Sequence, residues 1–205
     1  SPDLRQQMLS QNIKKIDKVL YSHMHADQTH GINDLRSFYI KNKKQINVFA
    51  DPITSKYLQK NFSYCFNNFS NEYPATLKLK KINNNIFIKD LKKKRLIKPI
   101  KVQHGQVQSI CYIVDQKLAY ISDVSKIFNK DFKHFKNLKY LIIDCLWYKN
   151  HPSHFNLEKS LDMIKIFSPK KAILTNLHTD IDYNKIKKLL PHNVIPAFDG
   201  LTVNL

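Results

Sequence analysis

The sequence predicts an α/β fold or a layered α+β sandwich. Three observations carry that expectation. Short apolar strand patterns interleave with helical patterns along the whole chain. The second half reads as β-α-β-α. No fixed-period repeat and no interdomain linker interrupts the 205 residues, so 1–205 reads as a single domain able to bury a sizeable core.

The elements follow in order. Asp3 is an N-cap residue type and predicts a short helix over residues 4–11. Residues 16–22 carry the run Val19, Leu20, Tyr21 and predict a strand. Ile32 and Leu35 share one helical face, predicting a helix over 27–38. Residues 46–50 predict a strand, and Asp51-Pro52 is N-cap then first-turn proline, starting a helix that runs to about residue 61. Residues 62–73 are rich in aromatics and Asn without a period. They read as a loop whose Tyr64, Phe66, Phe69 and Tyr73 form a satellite core.

Short strands are expected at 76–82, 86–88 and 96–103, then a hairpin of 109–114 and 118–122 turning at Asp115-Gln116-Lys117. A strand at 139–143 precedes a helix capped by Asn156 and carrying Leu157, Leu161 and Ile164. A strand at 172–177 and a helix at 183–190, stopped by Pro191, come next. Residues 194–205 predict a last pair of short strands turning at Asp199-Gly200.

Composition excludes several classes. Hydrophobic residues make up 42%, too many for a disordered chain. The longest apolar stretch, 140–148, is short and broken by Asp144, so no transmembrane helix or membrane partner is expected. Cys65, Cys111 and Cys145 are odd in number and widely spaced, against a disulfide framework or zinc knuckle and in favour of a reducing cytoplasm. The net charge of +18 suggests nucleic acid, yet the basic residues are 31 Lys and only 3 Arg. Asn (19) and Ile (23) are inflated too, and Gly is scarce at 3, which fits AT-rich coding bias. A nucleic-acid groove would favour Arg, whose planar fork matches phosphate. Nucleic acid therefore stays open without being favoured, and the positive field suits a small anionic substrate.

The chemistry-bearing segment is Tyr21-Ser-His-Met-His-Ala-Asp-Gln-Thr-His-Gly31. His23 and His25 are two apart at a strand end, so both imidazoles point to one side, as a transition metal requires. Asp27 can add a carboxylate. Alone, a strand-end His is more often a satisfied core residue, and Asp27 an N-cap. The combination His-x-His-x-Asp is harder to dismiss. His30, His134 and His192 are read as ordinary, Trp147 and Tyr148 as packing residues, and Cys145 as buried and inert.

This segment resembles the His-x-His-x-Asp-His signature of metallo-β-lactamase-fold hydrolases. The resemblance continues along the chain in Gln103-His104-Gly105, Tyr120-Ile-Ser-Asp123, His151-Pro-Ser-His154 and Leu174-Thr-Asn-Leu-His178. With Ser1-Pro-Asp-Leu-Arg5 and Gly31-Ile-Asn-Asp-Leu-Arg36, it is most similar to the branch of the cyclic phosphoribosyl phosphodiesterases of the carbon–phosphorus lyase pathway. The resemblance implies an αββα sandwich, here expected to lack its N-terminal strands, because Ser1-Pro2 stands where several strands would already have passed.

It also implies a metal-dependent phosphodiesterase that hydrolyses a small cyclic or nucleotide-like phosphate ester with a metal-bridging hydroxide. One or two divalent ions, zinc or manganese, would be held by His23, His25, Asp27, His104, Asp123 and His178, with Asp123 bridging. His154 would protonate the leaving group beside a helix N-terminus that attracts phosphate, and His151 would contact substrate. A second copy of the chain is an open partner. Two departures fall on the second metal site: Gln28 replaces a histidine, and Asn176 stands where Leu-Thr-His is usual, with His178 two residues on. They leave the second site weak or selective for a harder ion. The competing readings are an RNA-processing nuclease of the same fold and a non-catalytic binding domain with a decayed second site.

Overall fold

The structure, a computed structural model, describes residues 1–82, 85–90 and 93–205. The chain divides into two compact units, Ser1–Asn83 and Asn84–Leu205.

In the first unit, α1 (Leu4–Ser10) precedes the strand β1 (Lys18–Leu20). A single turn α2 (Ala26–Thr29), a 3-10 turn (Ile32–Asp34) and α3 (Leu35–Asn42) lead to β2 (Ile46–Ala50). Then come α4 (Pro52–Asn61), α5 (Ser63–Phe66) and β3 (Leu77–Lys81). The three strands form a parallel sheet in the order β1-β2-β3. Its core joins Val48, Ala50 and Leu77 of the sheet to Ile32, Leu35, Phe38 and Leu58 from the helical segments. The Asp51 cap forms as expected: its carboxylate accepts from Thr54 N at 2.9 Å.

Three expectations change here. Asp3 makes no side-chain cap, because its backbone (φ −81°, ψ 10°) is outside the extended region that capping needs. The helix expected over 27–38 breaks at Gly31, where a Cβ would lie 2.1 Å from Ser1 O and 2.7 Å from Leu4 Cβ. The aromatic loop is only partly a core: Phe66 packs on it, but Tyr64, Phe69 and Tyr73 are exposed.

The second unit is a seven-stranded sheet in the order β10-β9-β8-β7-β6-β5-β4. Its strands are β4 (Ile86–Asp90), β5 (Lys93–His104), β6 (Val107–Val114), β7 (Leu118–Ile121), β8 (Tyr140–Asp144), β9 (Lys171–Thr175) and β10 (Val194–Pro196). β4 to β7 pair antiparallel and β7 to β10 parallel. A 3-10 turn (Asn129–His134), α6 (Leu157–Phe167) and α7 (Tyr183–Leu189) complete the unit.

The parallel half follows from β-α-β order, since parallel neighbours need a crossover. Asn156 caps α6 through Lys159 N at 3.0 Å, and Asp182 caps α7 through Lys185 N at 2.8 Å. Phe135, Phe155 and Phe167 are fully buried against Val102, Ile121, Leu141, Ile143 and Leu174. Only 194–196 of the expected final strand pair forms, paired in parallel with Ala172, Ile173 and Leu174 of β9. Among the described residues, no helix is long and apolar enough to cross a membrane.

Candidate metal centre

In the first unit, the chain leaves β1 through Tyr21, whose amide donates to Phe49 O at 2.9 Å, and then presents its two histidines. His23 is buried, and its Nε2 lies 2.9 Å from His25 Nδ1, with the rings edge-to-face at 4.5 Å. Two imidazole nitrogens that close suit a shared proton or a shared cation. His25 is the N-cap residue of α2, placing Asp27 in that helix's first turn. Gln28 Nε2 donates to Asp27 Oδ2 at 2.6 Å.

In the second unit, the carboxyl ends of three adjacent parallel strands build the centre. β7 ends at Ile121, opposite Ile143 of β8, and Asp144 of β8 lies opposite Thr175 of β9. The register therefore sets Asp123, Asp144 and Asn176 side by side, where α/β sheets commonly bind ligands. Asp123 and Asp144 are both buried. Asn176 Nδ2 donates to Asp123 Oδ1 (2.9 Å) and Asp144 Oδ1 (3.2 Å). Ser122 Oγ donates to Asp123 Oδ2 at 3.2 Å, and Val124 N to Asp144 Oδ2 at 3.0 Å. Asn176 itself adopts φ +62°, a conformation Asn tolerates better than most residues.

His154 stands over these carboxylates. Its Nδ1 is 2.9 Å from Asp144 Oδ2 and 3.6 Å from Asp123 Oδ1. His104, the last residue of β5, packs its ring edge-to-face on His154 at 4.6 Å. Its Nδ1 donates to Ser153 O at 2.7 Å, and since a carbonyl only accepts, the tautomer is set with the lone pair on Nε2. Gly105 makes this possible: it has φ +56°, and a Cβ there would meet Ser153 Cβ at 2.8 Å. Burial pushes the Asp144 carboxyl above the usual carboxylate range, against the opposing pull of the His154 hydrogen bond.

Ligand-capable atoms of His104, Asp123 and His154 all lie within 4.8 Å of one another. Two imidazoles and a carboxylate at this spacing, with a second buried carboxylate behind them, fit a divalent cation.

Residues 1–176 match a protein family described as beta-lactamase superfamily domain. The chain belongs to this family. A beta-lactamase superfamily chain of this kind resembles the crystal structure of a new diphosphatase from the PhnP family, with 26% identity and a TM-score of 0.88 over 100% of this chain and 78% of that one. Zn(2+)-bound PqqB from Methylobacterium extorquens shares the fold, at 15% identity and a TM-score of 0.74 over 100% of this chain and 81% of that one. An octanoyltransferase of Porphyromonas gingivalis (strain ATCC BAA-308 / W83) is 29% identical over 207 residues, covering 98% of this chain. The chain spans 40% of that curated relative's length. The layered metallo-β-lactamase fold and the resemblance to the PhnP type both follow from these matches.

The expected residues divide accordingly. The structure brings His23 to His25, Asp27 to Gln28, and His104, Asp123, His154 and Asn176 into one cluster. His151 sits at its exposed margin, its ring 5.1 Å from that of His154. His178 is elsewhere: its ring lies on Trp147 at 5.4 Å and its Nδ1 accepts from Asp180 N at 3.2 Å, while Asn176 holds the place beside Asp123. Asp144 was missed by sequence reasoning, which saw it only as a break in an apolar run. A lone carboxylate inside such a run was itself the signal, since Asp is almost never fully buried unless paired.

Proposed function

We propose that the chain is a metal-dependent phosphodiesterase acting on a small, anionic, cyclic or nucleotide-like phosphate ester. The His104–Asp123–His154 group, with His104 and Asp123 buried, His154 half-buried and Asp144 behind it, carries the reading. Likeness to the PhnP-family diphosphatase supports phosphate-ester chemistry. His23, His25, His104 and Asp123 would hold the cation, in the order the family motif places them. A bound zinc or manganese ion supplies Lewis acidity and an activated water.

The chain's own groups do the rest. Oriented by Asp144 at Nδ1, His154 is the imidazole that would exchange a proton with the leaving oxygen. His151 is exposed and suited to contact substrate. The net charge of +18 draws anionic esters toward the protein.

Hydrolysis of bis(p-nitrophenyl) phosphate and of a 2′,3′-cyclic nucleotide, measured with metal content, tests the proposal. His25→Ala and His104→Ala are expected to lose turnover and metal together. Retained activity in both would refute it.

A further inference from the structure

We infer that the chain holds one divalent cation, and that the amides of Gln28 and Asn176 replace the second. The inference rests on the metal-dependent reading above. Each unit supplies its own observation. The two positions where the sequence departs from the family motif carry amides, and both amides are turned onto carboxylates that the motif assigns to metal. Gln28 Nε2 donates to Asp27 Oδ2 at 2.6 Å. Asn176 Nδ2 donates to Asp123 Oδ1 at 2.9 Å and to Asp144 Oδ1 at 3.2 Å.

The orientation of Asn176 is dictated by its surroundings. Its nitrogen faces two carboxylate oxygens, with Ser122 O at 3.5 Å. A flipped amide would set its oxygen against those three acceptors, with His154 Nδ1, at 3.3 Å, the one neighbour here able to donate to it. An amide nitrogen is a donor, with its lone pair delocalised, so it is no metal ligand. Each replacement therefore removes one imidazole nitrogen from the ligand set. It also places N–H hydrogens against carboxylate oxygens that a second ion would need. The φ of +62° lets Asn176 take this position with little strain. His178 does not compensate, because it is engaged with Trp147 and Asp180. The residues present fit one ion and do not fit two.

The test is metal stoichiometry on the full chain. Protein stripped with a chelator is reloaded with Mn(II), and metal per chain is measured by mass spectrometry and by electron paramagnetic resonance. One ion per chain with an uncoupled signal is expected. Two ions per chain, or a spin-coupled pair, would overturn the inference and leave the phosphodiesterase reading standing. No bound ion would overturn both. Gln28→His/Asn176→His, shown to be folded by circular dichroism, is expected to move from one ion to two. A folded double variant that stays at one would show that the amides are not what excludes the second ion.

Discussion

Asp144→Asn separates the chemistry of the centre from its stability. The Asp144 side chain is fully buried and receives three donors: Val124 N and His154 Nδ1 on Oδ2, and Asn176 Nδ2 on Oδ1. An amide of the same shape keeps one acceptor oxygen. Its best orientation leaves that oxygen on Val124 and His154 and sets its NH2 against the NH2 of Asn176. One charge-assisted hydrogen bond is then lost, costing about 1.5–3 kcal/mol. Burial already disfavours the Asp144 charge, so removing it offsets part of that cost. The net loss of stability should be under about 2 kcal/mol.

Catalysis should suffer more. His154 loses the anion that steadies its protonated form. An electrostatic contribution of about 3–4 kcal/mol corresponds to roughly 10²–10³ in kcat. Steady-state hydrolysis, urea unfolding and metal content should be measured on one preparation. A kcat within about tenfold of the parent at equal metal content would refute the assignment of Asp144 as the group that positions His154. So would an unfolding loss large enough to account for the lost activity.

Two further outcomes follow from local geometry. Gly105→Ala forces a side chain into the left-handed region and against Ser153 Cβ, so it should cost at least about 1–2 kcal/mol in urea unfolding. It should also weaken metal affinity about 10- to 100-fold, because Ser153 O fixes the His104 ring. Asp115 binds Leu96 N at 2.8 Å and Arg95 Nη1 at 2.9 Å, and these contacts, the backbone one first, hold its carboxyl below the usual range. A lowered carboxyl stabilises the fold above the unfolded pKa of about 3.9 and loses that contribution as pH falls through the folded value. Asp115→Asn should therefore be less stable by about 1 kcal/mol at neutral pH, with the gap closing below about pH 4 in thermal melts.

What the sequence made legible was local. Asp51-Pro52 and Asn156 start their helices as their residue types require, and the side-chain oxygens of Asp51 and Asn156 cap them. In the second unit, His104 and Asp123 reach one cluster because each stands at the end of a strand. What was not legible depends on partners distant in sequence. Residues 194–205 alternate well enough for two strands, but a strand exists only where a neighbour pairs with it. The rings at 64, 69 and 73 are aromatic like Phe62 and Phe66, and nothing in their order shows that those two phenylalanines pack inward and the other three do not. Asp144 matters because β7, β8 and β9 run parallel in one register, which no local pattern states.

That register also sets the charge balance of the second unit. Asp123 and Asp144 are two buried carboxylates joined through one amide, and burying two like charges together is unfavourable without compensation. Ser122, Val124 N and Asn176 answer with dipoles, which screen but carry no charge. His154 can offset one negative charge only while protonated, and it must give that proton up to act as an acid. A single divalent cation offsets both carboxylates and leaves His154 to cycle its proton. Among the described residues, a second dication at the same strand ends would find no further carboxylate in this unit's cluster. The electrostatics of the strand ends thus favour the same count of ions as the two amides do.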